Sequence, residues 1–589
     1  MTSDPSIFVT TQVGGADCLT APEFISDVSY VRGQNLSSRG GVLHTRPRFR
    51  KLSTLPAGRF QGAYTLGERL YVILGGTVYF YTPQGEEDWS AVDGISFSPY
   101  VDMVYATEVY SDFLFMNDGV HMPAIVGPYA NRQLSTQETT STNTEGEEET
   151  TSDPEIPCGS LCCFGQGRIF FFTPNQKVLM AGDIYIPGDP KSCLKFTEYA
   201  FLNESLAIQQ PDSFGKAMSM RFVRSSESGT GLGQLVVFYM NGFCVYNVYE
   251  ARSTWLDTQL GQVIGTYNGG GGFNFTIQKN NDVFFRTGSG LTTLRDFASQ
   301  TSQGLRTLPV TIPITPLLER DQAWTLEQGS ISAHNNRSLF THGLRLLNGE
   351  AFYDSLISFD MASFYGGGEM NMTFDGFWTG PRITKTLTGT LHGNVVSLVT
   401  AKTADGGNTL WTLQKDVFDD NDVPPRSRWY SKGYSFGSAF QYAKFLMADI
   451  WLQDLRSDVE VTLYFRSDSA LWQEASSGSV RVPYYTKDPA AGGGTINVLP
   501  QGRAKLRIAV ADEICDPVSM REIRYGTAFQ FCLEINGTAA TPKMWFHPQV
   551  VSGDTGEKRL CETEETGILL SDAVPDSVWL YDYDTGFLE

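Results

Sequence analysis

The feature that most constrains this chain is one local device used again and again: a short apolar run, a tight turn, then a second apolar run. Leu70 to Tyr81 holds two such runs about Gly75 and Gly76. Phe113 to Val120 repeats the pattern with Asp118 and Gly119 at the turn, and Leu235 to Tyr246 with Asn241 and Gly242. Arg168 to Phe172 is followed by Lys177 to Met180 after Pro174 and Asn175, and Asp282 to Arg286 by Leu291 to Leu294 after Gly288 and Gly290. Residues that accept positive φ between β-branched and aromatic runs mark β-hairpins. The hairpins recur every ~40 to 60 residues, near the length of a four-stranded propeller blade. Stacked sandwiches give a similar rhythm. No long window carries the i, i+3, i+4, i+7 apolar spacing of a helix, so only short helices are expected.

Composition agrees with an all-β chain. There are 59 Gly, 38 Phe and 26 Tyr among 589 residues, which suits many strands joined by turns. Length alone suggests about three or four units, although a propeller closes several hundred residues into one. Charged residues are 19% and the formal net charge is −21. That balance argues against general affinity for nucleic acid or anionic membranes. Nine cysteines, an odd number in a long chain, are expected as buried free thiols made in a reducing cytoplasm. The opening residues have neither a basic stretch nor a long apolar stretch, so no signal peptide is expected, and no run is long enough to predict a membrane span.

Residues Ser135 to Asp153 are mostly Thr, Ser and Glu with no aromatic residue, which predicts an exposed, mobile loop. Lys487 to Thr495 is a second loosely built stretch. Asp416 to Arg428, with its acidic cluster and Pro424–Pro425, reads as a linker. Beyond it, Phe445 to Leu452, Val459 to Phe465, Lys505 to Val510 and Phe529 to Ile535 read as the strands of a separate β-sandwich, with Val459 to Phe465 alternating as a half-buried strand does.

Motifs for chemistry are sparse. Gly229, Gly231 and Gly233 are glycine-rich but lack the spacing of a phosphate loop, and read as a turn. The six histidines form no tight metal pattern; His334 and His342 are the nearest pair worth noting. Cys158, Cys162 and Cys163 invite a zinc reading, but no second Cys or His pair stands at a suitable distance. Asp419–Asp420 is a carboxylate pair with calcium or glycosidase readings, and Asp405 to Asn408 and Asp554 to Glu557 read as turns. No catalytic, cofactor-binding or metal residue is assigned, no cofactor is expected, and the chain is read as non-enzymatic.

Several segments, in order, resemble the tail nozzle proteins of short-tailed bacteriophages, the tail tubular protein B family. They are Arg39 to Phe49 with Leu55 to Gly62, then Gly167–Arg168 with Gly182 to Pro187 and Lys195 to Glu198. After these come Gly261 to Gly265 with Asn281 to Arg286 and Gly290 to Leu294, Asn336–Arg337, and Phe374 to Gly380. The resemblance spans roughly residues 30 to 535 and implies a large β-propeller-like domain followed by a β-sandwich domain. On that basis 1–60 is an N-terminal extension with first strands, 61–415 a propeller with the acidic insertion 135–153, 416–428 a linker, and 429–589 a C-terminal sandwich and tail. It further implies a homo-hexameric ring around a channel through which double-stranded DNA passes without specific binding. Adaptor or portal proteins and tail fibres would be partners, and the virion tail the location. The alternative is a carbohydrate-binding or carbohydrate-processing β-propeller, for which Trp378, Trp411 and Trp451 are the aromatic candidates. A host-side scaffold propeller is a third reading.

Overall fold

The structure is a computed structural model. It describes the chain between Ile7 and Val550 apart from internal segments, the longest being 195–211, 295–310, 361–372 and 510–523. The Lys195 to Glu198 segment, Cys515, Cys561 and the Asp554 to Glu557 turn lie outside the described residues. The fold is all-β, and the described α-helices are single turns such as Thr315–Leu318 and Thr325–Gln328.

The chain divides into two compact units. One holds 51–357 and 380–413; the other holds 1–50, 358–379 and 414–589. This corrects the expected serial order, in which the N-terminal extension led into the propeller and the sandwich began after a linker at 416–428. The reason lies in the bonds of the early residues. Ala16 N–H donates to the Phe374 carbonyl (2.9 Å), and the Tyr30 hydroxyl to that of Asp375 (2.7 Å). Within the expected linker, Val417–Asp419 and Arg426–Tyr430 are strands.

The first unit is propeller-like. Small antiparallel sheets follow one another along the chain. The first has strands Phe60–Leu66, Arg69–Leu74, Thr77–Tyr81 and Trp89–Ala91. The second has Tyr105–Val109, Phe113–Asn117, Ala124–Val126 and Asn131–Gln133. The third has Ser160–Gly165, Arg168–Phe172 and Leu179–Ala181. The fourth runs from Ala217–Arg224 through Gly233–Tyr239 and Gly242–Tyr246 to Gly261–Thr266. The fifth is Thr276–Lys279, Asp282–Thr287 and Gly290–Thr293.

Neighbouring sheets share apolar interfaces, and that explains why their strands read as unbroken apolar runs. In Phe113–Asn117, Leu114 and Met116 pack toward Ile73 and Val78 of the first sheet. The alternate residues Phe113 and Phe115 pack toward Ile169 and Phe171 of the third. A strand buried on both faces has no polar face to show. The same division recurs between the third and fourth sheets, with Phe170 and Phe172 against Leu235 and Val237, and between the fourth and fifth, with Phe238 against Phe285. A closing sheet is made by the latter part of Thr373–Leu391, by Asn394–Lys402 and Asn408–Gln414, and by an early strand, Arg48–Thr54. Its Leu387, Leu398 and Leu410 pack with Val72 and Leu74 of the first sheet. The chain thus returns to the start of the series and completes its last sheet with a strand from near the N-terminus.

The hairpins follow the sequence with local differences. Gly75 and Gly76 form a two-residue loop with φ of +55° and +84°. At Asn241 the loop is shifted by one residue: it is Met240–Asn241, and Gly242 pairs with Tyr239. Asp118 does not close a tight hairpin. Its carboxylate accepts the N–H groups of Val120 (2.8 Å) and His121 (2.7 Å) and so holds a longer loop to Ala124. The expected mobile loop at 135–153 is also corrected. Thr136–Thr142 and Glu148–Pro154 form an antiparallel ribbon, with Thr136 opposite Pro154. Thr favours extended backbone, and a ribbon satisfies its backbone groups without a core.

The second unit is a sandwich. In one sheet, Ala443–Leu455 lies between Gln501–Ala509 and Ala540–Val550, and the early strands Ile7–Thr10 and Leu43–Thr45 pair along Ala540–Val550. The facing strands are Arg426–Tyr430, Phe529–Asn536 and Val459–Ser467, with Arg32–Gln34 at one side. The two layers meet on aromatic rings: Phe531 stacks on Phe546 with centroids 3.9 Å apart, and Phe445 packs on Phe531 at 4.8 Å. The alternation in Val459–Ser467 is seen as expected.

The Gly75–Gly76 turn gives a direct test. A Cβ at Gly76 would lie 2.2 Å from the Phe97 carbonyl oxygen, whereas one at Gly67, also at positive φ, meets nothing within 4 Å. Gly67→Ala is expected to lose only the left-handed backbone penalty, about 1–2 kcal/mol. Gly76→Ala should lose clearly more, because backbone must move. Urea midpoints of the two variants check this; equal losses would contradict it.

Candidate functional site

Arg46, Arg48, Arg168, Asp375 and Trp378, from three of the segments singled out in the sequence, are buried among strands. In the sandwich unit, Asn35 adopts φ +54° and its side-chain amide is fully engaged. Its Oδ1 accepts from Arg46 Nε (2.8 Å) and Thr379 N–H (2.9 Å), and its Nδ2 donates to the Arg426 carbonyl (2.9 Å). Arg46 also donates to the carbonyls of Pro47 and Thr379, each at 2.6 Å, and lies 4.5 Å over the Phe49 ring. Burial, with Arg48 nearby, lowers its pKa to about 9. Arg39 forms a forked pair with the buried Asp360, at 2.6 and 2.9 Å. Asp375 is wholly buried and accepts from Ser38 N–H (2.9 Å), Ser38 Oγ (3.0 Å) and Ser358 Oγ (2.8 Å). In the propeller-like unit, Arg168 donates to the Gly182 carbonyl (2.9 Å), and Tyr185 N–H to that of Gly167 (2.6 Å). Asn335 and Asn336 make a hairpin turn with φ of +50° and +57°.

Other sequence candidates disperse. Cys162 and Cys163 are neighbours on one strand, so they point to opposite faces and enter different apolar clusters. They cannot hold one ion together. Burial raises Cys163 to about 11 and Cys158 to about 11, so neither is a ready thiolate. Among the described residues no group of three His, Cys, Asp or Glu is placed to hold a metal. Asp405 lies in the turn expected there, with Gly406 at φ +90°. Trp378 is buried and donates to the Leu36 carbonyl (2.7 Å); Trp411 donates to Thr409 Oγ1 (2.9 Å). Only Trp451 stands among charged side chains.

That third tryptophan belongs to a cluster the sequence reading missed. On the outer face of the sandwich sheet, Asp449 accepts from Arg507 at 2.8 and 3.0 Å, and pairs with Lys505 Nζ (2.8 Å) and His547 Nε2 (3.2 Å). Above all the bonds from Arg507, and then those from Lys505 and His547, hold its pKa well below the ordinary carboxylate range. Lys505 and Lys543 lie over the Trp451 ring at 4.7 and 4.6 Å, and Trp545 stacks on His547 at 4.9 Å. The available signal was alternation: Lys505 and Arg507 two apart, and Lys543, Trp545 and His547 each two apart, on strands whose alternate residues Ile508, Met544 and Phe546 are buried.

A cleft of about 200 Å³ opens in the propeller-like unit, lined in part by Gln61, Asp102, Asn274, Gln328, Glu350 and Lys385. Lys385 is buried; its Nζ donates to the Ala63 carbonyl (2.6 Å) and lies 4.0 Å over the Tyr64 ring. Burial, with Arg221 adding, lowers its pKa to about 7. A backbone carbonyl and an aromatic face hold the amine in place, so its evident role is to tie the closing sheet to the first sheet.

No family model matches the chain, and no curated protein matches it. Three solved structures show weak similarity to the chain, each at 9% identity. The AfRom2 CNH domain matches over 62% of this chain and 99% of its own, with a TM-score of 0.33. PorZ, a surface component of the type-IX secretion system of Porphyromonas gingivalis, matches over 67% and 44% at 0.31. The Trypanosoma rangeli sialidase matches over 87% and 94% at 0.27.

Lys385 makes a pH prediction. Its folded pKa, about 7, lies below the unfolded value of about 10.4. Between those values the unfolded chain binds the extra proton, so this group makes stability rise with pH there. Below about pH 7 the folded state carries the full cost of a buried ammonium. Lys385→Met removes this slope. The melting temperature of the variant minus that of the parent chain is expected to fall steadily from pH 7 to pH 10; a constant difference would contradict it.

Proposed function

We propose that this chain is a non-enzymatic structural subunit of a phage tail nozzle. Six copies form a ring around the DNA exit channel, retain the packaged genome and open for ejection. The ring docks on adaptor or portal proteins and carries tail fibres, and the chain is made in the host cytoplasm before joining the virion tail. The observation that carries the reading is the ordered set of resembling segments together with their place in the fold. Arg39, Arg46, Asp375 and Arg168 lie at joints between strands, with their polar groups turned to structural bonds, and Asn336 closes a hairpin at positive φ. Residues shared with a mechanical family and spent on rigidity fit a part that bears stress.

The charge balance supports the same reading. With a net charge of −21, the chain offers little general attraction to a moving polyanion, so DNA can slide past without being trapped by ion pairing. Sedimentation of the purified chain, with negative-stain microscopy, tests the assembly. The expected species has six times the 65.1 kDa chain mass and a central hole. Particles of 65.1 kDa alone, at every concentration and with no ring, would count against it.

A further inference from the structure

We propose that the outer face of the sandwich sheet around Trp451 binds an acidic oligosaccharide, with Lys505 and Lys543 pairing with its carboxylates or sulfates beside the ring. This goes beyond the assembly reading and does not depend on it, since the site lies on one face of one unit.

Trp451 stands opposite Lys505 on one neighbouring strand and Lys543 on the other. Asp449 stands opposite Arg507 and Trp545, and Met447 opposite His547. Side chains in such cross-strand rows share a face. Three strands therefore display Lys505, Arg507, Lys543, His547, Trp451 and Trp545 together, while Ala448, Ile450 and Leu452 turn into the core.

Among the described residues the charges on this face do not cancel. Asp449 is the carboxylate for Lys505, Arg507 and His547. Among the described residues no carboxylate pairs with Lys543, whose ammonium rests on the Trp451 ring. Counting Lys505, Arg507 and Lys543 against Asp449 leaves an excess of two positive charges. Lys505 and Lys543 approach the one ring from the strands on its two sides, each ammonium within 5 Å of the centroid, and like charges gathered on one face favour an added anion. Asp449 cannot supply it, because its two oxygens are already committed to Arg507, Lys505 and His547. The site is half-open: the side chains of Lys505 and Arg507 are 43% and 59% exposed.

Aromatic and cationic groups on one flat sheet face suit a ligand that has both an apolar ring face and an anionic group. A sugar bearing a uronate or sulfate has both. Duplex DNA buries its base faces in the stack and would use only the cations. It is also a long polyanion that feels the whole chain at net charge −21. A short saccharide feels mainly charges within a Debye length, about 10 Å at 0.1 M salt, and so mainly the cationic patch.

The experiment is calorimetric titration of the full chain with a galacturonate hexamer, its methyl-ester analogue, a short DNA duplex and a DNA single strand of matched length. The acidic hexamer is expected to bind at low salt, with affinity at least tenfold weaker for Lys505→Gln and Lys543→Gln and falling as salt rises. The methyl ester should bind at least tenfold more weakly than the acid. Trp451→Phe should retain more binding than Trp451→Ala. Melting curves of each variant show that the sandwich remains folded, and Lys444→Gln, on the same strand beyond the bulge at Phe445–Met447, controls for loss of charge alone. Absence of hexamer binding, equal binding by the lysine variants, or tighter binding of either DNA would overturn the proposal.

Discussion

Both units depend on where the first fifty-odd residues pair. Strands Arg32–Gln34, Leu36–Ser37 and Leu43–Thr45 are bound into the two sheets of the sandwich unit, alongside strands that come hundreds of residues later. A few residues on, Arg48–Thr54 joins the closing sheet, and Leu55 N–H donates to the Asn408 carbonyl (2.9 Å). Asn35 and Arg46 make the first of these attachments rigid, because every strong polar group they bring inside finds a partner. Unpaired, the same groups would each carry a desolvation penalty of ~1–3 kcal/mol. Neither unit is complete until its early strand arrives, so the order of closure runs against loop entropy and the fold is rich in distant pairings.

This arrangement explains which parts of the structure were legible in the sequence. Local pairs were readable, since a hairpin needs only its own turn chemistry: Gly75–Gly76 and Gly288 to Gly290 stand where turn residues interrupt apolar runs. The strands of the C-terminal sandwich were readable for the same reason, with alternation marking Val459–Ser467. Domain boundaries were not. They are set by bonds such as that from Tyr30 to the Asp375 carbonyl, across more than three hundred residues, and no local pattern reports such a partner. The acidic Thr-rich stretch misled because composition speaks of missing core, and a ribbon pairs its backbone without one.

The candidate sites divide along the same line. Cys162 and Cys163 looked like ligands because they are adjacent, yet adjacency on a strand separates them into two interfaces. Trp378 was a plausible sugar platform in sequence and is a core residue in the fold. The cationic face around Trp451 was hidden because its members come from three strands spread over a hundred residues, each contributing only two or three alternate positions. Lys385 was equally silent: its depressed pKa follows from burial against Ala63 and Tyr64, which lie far away in the chain.

The early strand Arg48–Thr54 is integral to the closing sheet and not an appendage. Hydrogen exchange followed by mass spectrometry tests it most directly. Peptides covering Arg48 to Leu55 and Asn408 to Gln414 should be protected as long as those covering Phe60–Leu66 and Arg69–Leu74, and should lose protection together with them in mild denaturant. Rapid exchange of the Arg48 to Leu55 amides, while the first sheet stays protected, would contradict the account.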